Sequence, residues 1–264
     1  MDKSTLRYGF VIPVYNHPHY LHDLLACLDQ FALPVIVVND GSDQNCRQIL
    51  QTLAQHYSQM VLVEHAENMG KGQAVLTGFA KAEQLGLTHI LQLDADGQHD
   101  WQDIAKFLQI SAEHPQSMVI GQPIFDASVP KGRLYGRYAT HIWVWINSLS
   151  TEIKDSMCGF RVYPLAAALK IMQHNRFQPR MGFDSEILVR MKWDNVHFIN
   201  VPTKVIYPEQ GISHFHVWRD NVGMSKTHAR LFAGMLYRLP RLLQQKFDRT
   251  STVQRHQQQD QIDD

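Results

Sequence analysis

The sequence predicts an α/β fold in which a mostly parallel sheet is flanked by helices. Short apolar runs alternate with longer segments whose apolar residues recur at helical spacing, which is typical of strand–helix–strand units. The predicted strands cover residues 8–14, 35–39, 60–64, 89–93 and 118–121. The predicted helices between them cover residues 18–31, 43–57, 71–85 and 101–114, with Asp43 and Asp100 as N-caps. Polar motifs follow these strands, where open parallel sheets bind their ligands.

The regular alternation of predicted strands and helices ends after residue 121. A loop at 122–132 precedes an aromatic helical stretch at 134–149 and a second loop that ends at Arg161. The remaining predicted elements are a helix at 184–193, strands at 196–201 and 204–207, and a long helical segment at 215–247. Residues 248–264 are rich in Gln and Asp and contain few apolar side chains, so we predict that they are disordered. We expect a single domain at 1–247, with halves at 1–121 and 122–214 and the helical segment at 215–247.

Bulk composition excludes several classes of protein. The chain of 264 residues has 25 Lys and Arg against 25 Asp and Glu, so it has no global attraction for nucleic acid. Three cysteines form neither a disulfide framework nor a zinc site, which is typical of a reducing compartment. The first eight residues lack the apolar core of a signal peptide, and no run reaches the ~18 apolar residues that cross a bilayer. We therefore expect a cytoplasmic protein that does not span a membrane.

Two acids end the fourth predicted strand, where residues 91–98 read Leu-Gln-Leu-Asp-Ala-Asp-Gly-Gln. Alternation along a strand sends Asp94 and Asp96 to one side, and a turn at Gly97 brings Gln98 back toward them. Oxygen ligands of this kind suit Mg²⁺ or Mn²⁺, which would hold a diphosphate. Read alone, the same pattern fits an acidic turn that caps the next helix equally well.

Polar residues also end the first two predicted strands. Residues 13–16 read Pro-Val-Tyr-Asn, and Tyr15 either stacks on a nucleobase beside Pro13 or belongs to an ordinary turn. Residues 39–42 read Asn-Asp-Gly-Ser, and the carboxylate of Asp40 either accepts a hydrogen bond from a base imide or caps a helix. Read alone, the capping interpretation of Asp40 is favoured.

A fourth motif opens the third predicted helix, where residues 68–72 read Asn-Met-Gly-Lys-Gly. Its backbone amides and the Lys71 ammonium can face a phosphate at the helix N-terminus. The motif lacks the spacing of a Walker loop and the third glycine of a dinucleotide fingerprint, which argues against an ATPase or a dehydrogenase.

Together, in this order, the four motifs resemble family-2 glycosyltransferases, especially the branch that includes dolichyl-phosphate mannosyltransferases. The resemblance covers residues 8–230 and implies a GT-A fold, with the nucleotide sugar on the first half and the acceptor on the second. It implies that Asp40 binds the base, that Lys71 lies near the nucleotide, and that Asp94, Asp96 and Gln98 carry Mg²⁺ or Mn²⁺. The implied donor is a UDP-sugar or GDP-mannose.

Three segments extend the resemblance toward the C-terminus. Residues 155–161 read Asp-Ser-Met-Cys-Gly-Phe-Arg and are similar to the family's Ser-Gly-Phe-Arg loop. By their location, Arg161 in this segment and Lys226 farther along the chain are candidates for neutralising the charge of a phosphate. In the segment 182–190, Asp184 occupies the position of the catalytic base of an inverting displacement, with Glu186 as its alternative. An acceptor that is already a phosphate needs no base. Residues 211–214, Gly-Ile-Ser-His, resemble a Gly-x-Ser-Lys element and place His214 near the diphosphate or the acceptor.

The sequence leaves the acceptor and two rival functions open. The Gln-x-x-Arg-Trp motif of processive synthases is missing, so we expect transfer of a single sugar. The segment after residue 215 is basic with one apolar stripe, which suits either an anionic membrane with a polyprenyl-phosphate or other lipid acceptor, or packing on the domain itself. The rivals are a sugar-1-phosphate nucleotidyltransferase, disfavoured because residues 10–17 are not Gly-rich and basic, and an inactive nucleotide-sugar-binding module.

Overall fold

One seven-stranded sheet flanked by helices forms the protein, for which a computed structural model describes residues 6–125, 131–205 and 217–260. The strands are β1 (Tyr8–Val14), β2 (Val35–Asn39), β3 (Met60–Glu64), β4 (His89–Gln92), β5 (Met118–Ile124), β6 (Arg161–Pro164) and β7 (Phe198–Lys204). The helices are α1 (Leu21–Asp29), α2 (Gln44–His56), α3 (Lys71–Gln84), α4 (Ile104–Glu113), α5 (Lys131–Ser148), α6 (Leu165–His174), α7 (Phe183–Trp193) and α8 (Val217–Asp260). A 3₁₀ turn, Trp101–Asp103, precedes α4.

The strands follow the order β3-β2-β1-β4-β6-β5-β7. β1 pairs in parallel with β2 and β4, β2 with β3, and β5 with β7. Only β6 runs antiparallel to its neighbours, β4 and β5, among these pairs. The predicted mostly parallel sheet is therefore confirmed. Because β1, β2 and β4 are parallel, their carboxyl ends meet at one edge of the sheet, and the predicted motifs follow those ends.

The structure differs from the prediction mainly in the second half of the sheet. β6 and α6 lie in no predicted element, β5 continues three residues beyond its predicted end at residue 121, and β7 runs without a break through residues 202 and 203, which were predicted to separate two strands. Residues 206 and 207 of the second predicted strand lie outside the described residues. β5 and β7 pair in register from Met118↔Phe198 to Ile124↔Lys204, so each keeps the other extended. Cross-strand pairing of this kind is a tertiary effect that local residue patterns do not contain.

Side chains alternate across the sheet and form a core on each face. On β1, Phe10 contributes to one core and Val11 to the other. The Phe10 face is covered by helices α1, α2 and α4 through buried side chains such as Leu24, Leu50 and Phe107. Each such side chain stabilises the fold by roughly 1.5–3 kcal/mol.

Helices α3, α6 and α7 lie over the opposite face, and α5 and α8 pack on α7 and on each other. Every residue of α7 except Arg190 is buried, so α7 is enclosed on all sides. α5 and α8 contribute Val144, Leu231, Met235 and Leu242 to the same core. They form an outer layer, and several of their other side chains are exposed among the described residues.

α8 continues to Asp260, through most of the segment 248–264 whose composition predicted disorder. Beyond Pro240 the helix contains neither Gly nor Pro, and extending an existing helix costs less free energy than nucleating one. Composition alone underestimates this effect. Within residues 6–125, 131–205 and 217–260, no helix has the length and hydropathy needed to cross a membrane.

His228, on α8, is buried in the neutral form. Burial lowers its pKa from 6.5 to about 4, while the Nδ2 amide of Asn147 lies 3.2 Å from its Nδ1 atom. Between pH 6.5 and pH 4, the unfolded chain binds a proton that the folded chain does not. The free energy of unfolding will therefore decrease as the pH falls through this window, by up to about 3 kcal/mol.

Denaturant unfolding at pH 7 and at pH 4.5 tests this expectation. The His228→Gln variant will lose less stability on acidification than the wild type, whereas a matched change at the exposed His56 will leave the wild-type loss unchanged. Equal losses in the His228→Gln variant and the wild type would contradict the assignment.

Candidate active site

The ends of β1 and β2 are joined by Asn16. Its backbone N–H donates to Ser42 Oγ (3.0 Å), and its Oδ1 atom accepts from the backbone N–H of Asp43 (2.7 Å). Asn16 has a φ of 51°, a left-handed conformation that Asn tolerates better than most residues. Pro13 and Tyr15 are partly exposed beside this junction. The first two motifs therefore meet, and the contact of Pro13 and Tyr15 with a nucleotide stays a prediction.

Asp40 is only 2% exposed and has four hydrogen-bond donors within the protein. Its Oδ1 atom accepts from His65 Nδ1 (2.8 Å) and from the backbone N–H of Met69 (2.9 Å). Its Oδ2 atom accepts from Asn68 Nδ2 (3.0 Å) and from the backbone N–H of Gly70 (2.8 Å). A carboxylate with two donors on each oxygen has about its full set of partners. Asp40 thus fixes the loop that leads into α3, and its contact with a base stays a prediction.

Lys71, the first residue of α3, joins the two halves of the chain. Its Nζ atom lies 2.8 Å from Asp94 Oδ1 and 3.2 Å from Asp184 Oδ2. On the other side of Asp184, the Oδ1 atom lies 3.2 Å from Nη1 of the fully buried Arg161. We call Lys71, Asp94, Arg161 and Asp184 the ionic cluster. Four predicted site residues, separated by up to 113 positions in sequence, are therefore in contact.

The charges of the ionic cluster stabilise one another. Burial disfavours the ammonium of Lys71, but Asp184 and Asp94 outweigh it and hold the pKa of Lys71 above its ordinary value. Burial likewise disfavours the Asp94 carboxylate, but Lys71 and His99 hold the pKa of Asp94 below its ordinary value. Lys71 and Asp94 are therefore both charged at neutral pH.

Gly159 brings the loop before β6 against Asp94. A Cβ atom at this position would lie 2.2 Å from Asp94 Oδ2, so no larger residue fits without displacing the carboxylate. The buried His99 approaches the same carboxylate, with Nε2 3.7 Å from Oδ2. The segment that resembles the family's Ser-Gly-Phe-Arg loop thus supplies both Arg161 and a wall of the Asp94 site.

Asp96 and Gln98 lie in a turn beside Asp94. The Oδ1 atom of Asp96 accepts from the backbone N–H of Gln98 (3.0 Å). Burial, and to a lesser extent the charge of Asp94, raises the pKa of Asp96. The cap before α4 is Asp100, whose Oδ1 atom accepts from the N–H of Gln102 (3.1 Å), as predicted. Neither Asp94 nor Asp96 is that cap.

A model of the family described as "Glycosyl transferase family 2" matches residues 10–172, which include all four motifs and the 158–161 segment. The chain belongs to this family. It is a glycosyltransferase, as the resemblance implied, and the matched region contains Lys71, Asp94 and Arg161 of the ionic cluster.

Individual relatives and structures agree with this family-2 assignment. The chain is 27% identical over 220 residues to the UDP-N-acetylglucosamine--dolichyl-phosphate N-acetylglucosaminyltransferase of Methanococcus voltae, covering 77% of this chain and 87% of that protein. It is 29% identical over 209 residues to a dolichyl-phosphate beta-glucosyltransferase of Trichomonas vaginalis, covering 71% of this chain but 62% of that protein, less than two thirds of its length.

The glucosyl-3-phosphoglycerate synthase of Mycobacterium tuberculosis, solved with Mn²⁺, UDP-glucose and phosphoglyceric acid, has a similar fold. The TM-score is 0.63 at 12% identity, over 88% of this chain and 80% of that one. The likeness confirms the GT-A fold.

In this family-2 glycosyltransferase Glu186 lies apart from the ionic cluster. It is fully buried, and its Oε1 atom accepts from Arg190 Nε (2.8 Å). Its Oε2 atom accepts from Arg230 Nη2 (2.6 Å) and from the backbone N–H of Gln178 (2.9 Å). Glu186 therefore links α7 to α8, which is a structural role that the sequence interpretation did not consider.

A loop at residues 175–182 covers the N-terminus of α3, which sequence reasoning missed. The Arg180 side chain donates through Nη1 to Asn68 Oδ1 (3.0 Å), and Asn68 in turn donates to Asp40. A Cβ atom at Gly70 would lie 2.6 Å from the Pro179 carbonyl oxygen, so the loop and the helix end are in close contact. No residue pattern in this loop signals the contact.

Asp155 anchors the loop before β6 to α5. Arg137 donates to both of its oxygens, through Nε at 2.6 Å and through Nη2 at 2.8 Å. The backbone N–H of Cys158 donates to Asp155 Oδ1 (2.7 Å), and His141 Nε2 lies 3.2 Å from Oδ2. The pKa of Asp155 is below its ordinary value, because His141 and Arg137 outweigh the effect of burial. No pattern in the sequence around Asp155 signals this anchoring contact.

Two further predicted residues lie toward the C-terminus. Lys226 lines a groove of about 370 Å³ between the 175–182 loop and α8, in which Arg180, Arg219 and Lys226 outnumber the one acid, Asp220. We call it the basic groove. His214 lies outside the described residues, with the rest of the segment 211–214.

Proposed function

We propose that this glycosyltransferase moves one sugar, with inversion, from a nucleotide-diphospho-sugar to a lipid-linked or hydroxyl acceptor, with a divalent cation. The observation that carries the proposal is the position of the Lys71 ammonium, 2.8 Å from Asp94 and 3.2 Å from Asp184. Lys71 brings Asp94, from the half predicted to bind the donor, together with Asp184, from the half predicted to bind the acceptor. An inverting transfer needs the acceptor oxygen and the leaving diphosphate at one centre.

The donor is assigned to the edge formed by β1, β2 and the N-terminus of α3. Pro13 and Tyr15 are exposed enough to contact the nucleobase of the donor. Asp40 holds the loop that ends at Gly70, directly before Lys71. The Methanococcus voltae relative is named for a UDP-sugar, which supports a UDP-sugar donor, and GDP-mannose remains the second candidate. The positive charge of Lys71 then stabilises the leaving diphosphate.

The donor set at Asp94 and Asp96 fits Mg²⁺ or Mn²⁺. Two carboxylates and the Gln98 side chain belong to the same short segment, and they supply the kind of oxygen ligands that such a cation prefers. When bound, the ion neutralises the diphosphate of the donor. Mn²⁺ in the Mycobacterium tuberculosis complex supports this assignment.

Asp184 is assigned to the acceptor, and the fully buried Arg161 to holding the Asp184 carboxylate in place. The Asp184 carboxylate is the group that removes the proton of a hydroxyl acceptor while its oxygen attacks the anomeric carbon. A polyprenyl phosphate already carries an anionic oxygen, so it needs no proton removal. Dolichyl-phosphate enzymes among the relatives support the lipid phosphate.

Product analysis with purified protein tests the proposal. UDP-glucose, UDP-N-acetylglucosamine and GDP-mannose are each offered with Mn²⁺ and a polyprenyl phosphate. We expect one glycolipid with a single, inverted sugar and one nucleoside diphosphate per turnover, lost on chelation and in an Asp96→Asn variant. Unchanged turnover in that variant would refute the cation site. Pyrophosphate-dependent chemistry would instead indicate a nucleotidyltransferase, and no turnover of any donor would indicate a binding module.

An Asp184→Asn variant distinguishes the two acceptor classes. If a hydroxyl acceptor is used, loss of the base will lower kcat by about 10²–10⁴-fold. If a lipid phosphate is used, the loss will be much smaller, because Asp184 then only positions Lys71 and Arg161. The readout is kcat measured with each acceptor in turn, with a Glu83→Gln variant on the exposed side of α3 as the control.

A further inference from the structure

The outward face of α5 is apolar, although several side chains on its inward face are polar. Between residues 135 and 146 none of the exposed residues of this helix is charged. The large exposed side chains are Tyr135, Tyr138, Ile142, Trp143 and Ile146, while the buried polar ones on the same helix are Thr140, His141, Asn147 and Ser148. This arrangement is the reverse of a solvent-facing helix, and it indicates that something other than water covers the outward face.

α8 adds a second apolar stripe to this face. Six of its seven large exposed apolar side chains recur close to whole helical turns, and they are Trp218, Val222, Phe232, Leu236, Leu243 and Phe247. The seventh, Tyr237, lies about a quarter of a turn from this stripe. The Trp143 ring of α5 meets the Phe232 ring of α8 edge to face, with 6.3 Å between centroids. The two stripes are therefore continuous, and we call them the apolar surface.

Basic side chains border the stripe on α8. Arg219, Lys226 and Arg241 are exposed, and by helical geometry they fall beside the apolar positions on one flank. Between residues 218 and 247 the only acidic residue of α8 is Asp220, which is buried. The exposed charge along this flank is thus positive.

The apolar surface reaches the candidate active site. Trp218 and Val222 line the basic groove with Arg180, and Arg180 donates to Asn68 in the loop that Asp40 holds. At the other helix, Arg137 of α5 binds Asp155, which anchors the loop that packs Gly159 against Asp94.

We propose that the apolar surface docks on a lipid bilayer that carries anionic headgroups. Aromatic side chains beside lysine and arginine suit the boundary between acyl chains and headgroups, because the rings enter the apolar layer and the cations remain with the phosphates. The absence of exposed acids on α8 between residues 218 and 247 removes the repulsion that such a surface would otherwise exert. The proposal deepens the proposed function, and it rests on that function only for the lipid acceptor.

Vesicle co-sedimentation of the full chain tests the docking directly. We expect the protein to sediment with phosphatidylcholine vesicles that contain phosphatidylglycerol, and to be released by high salt. An Ile142→Ser/Leu236→Ser variant will bind at least about tenfold more weakly, because both side chains are half exposed in the free protein and enter the bilayer on docking. An Arg241→Gln variant, which removes one positive charge, will bind about fivefold more weakly.

Matched variants keep the test specific. Lys106→Glu, on the exposed side of α4 across the sheet, will bind like the wild type, and Ile142→Leu/Leu236→Ile will retain binding. Sedimentation of the serine variant equal to that of the wild type, or no vesicle binding by the wild type, would overturn the proposal. So would a wild-type dimer that the serine variant converts to a monomer, because a second copy would then cover the surface. Vesicle binding requires no sugar transfer, so this experiment tests docking even if the proposed transferase function is wrong.

Discussion

Replacement of Lys71 by methionine will lower the kcat/KM of sugar transfer by about 100- to 1,000-fold, which is the usual effect of removing one preorganised charge from a developing anion. The ammonium lies between Asp94 and Asp184, and methionine keeps much of its apolar stem without the charge. The variant also leaves the carboxylates of Asp94 and Asp184 without the ammonium that they share, which lowers the stability of the protein. Thermal unfolding is therefore measured first, and the rate of sugar transfer is compared per folded molecule.

A Lys81→Met variant is the matched control for Lys71. It makes the same substitution in the last turn of α3, away from the ionic cluster, and we expect it to transfer sugar at the wild-type rate. A Lys71→Met enzyme with more than a third of wild-type kcat/KM would remove Lys71 from the catalytic site and would leave the ionic cluster as a structural feature.

Replacement of Glu186 by glutamine will destabilise the protein by about 3–5 kcal/mol, the usual cost of breaking a buried ion pair from one side. Glu186 is fully buried, and Arg190 and Arg230 both donate to it. The amide group of glutamine places a donor where the carboxylate accepted. Because Glu186 lies outside the ionic cluster, turnover per folded molecule will remain close to that of the wild type.

Chemical denaturation and transfer kinetics on the same samples separate these two effects. A Glu83→Gln variant makes the same substitution at an exposed position of α3 and will change the free energy of unfolding by less than about 0.5 kcal/mol. If Glu186→Gln instead abolished turnover in a protein of wild-type stability, Glu186 would be the base and Asp184 would not.

Helical geometry explains why these neighbouring acids have different roles. Two residues separated by two positions on a helix point about 200° apart, so Asp184 and Glu186 cannot face the same site. Asp184 faces Lys71, whereas Glu186 faces α8. The sequence identified both acids as candidates for the base, and the position of α7 between the sheet and α8 decided which of them reaches the ionic cluster.

The first half of the fold was predictable because its signals are local. β1, β2 and β3 have the bounds that their apolar runs predicted, and Asp43 and Asp100 are the caps that were expected. Period-2 and period-3.6 patterns record which side chains must be buried, and a capping aspartate acts within three residues of itself. β6 was missed because its four residues include a buried arginine, Arg161, whose charge is balanced only in the folded protein.

By itself, the sequence determined the first five strands, the motifs that follow them and the family to which the chain belongs. Tertiary structure alone decided that Lys71 stands between Asp94 and Asp184, that the Asp40 carboxylate is fully bonded within the protein, and that α5 and α8 turn an apolar face outward. The physical reason is the distance along the chain over which each interaction acts. Burial patterns and caps depend on neighbours within a few residues, whereas a charge is balanced, or a face is left uncovered, by segments that meet only when the chain has folded.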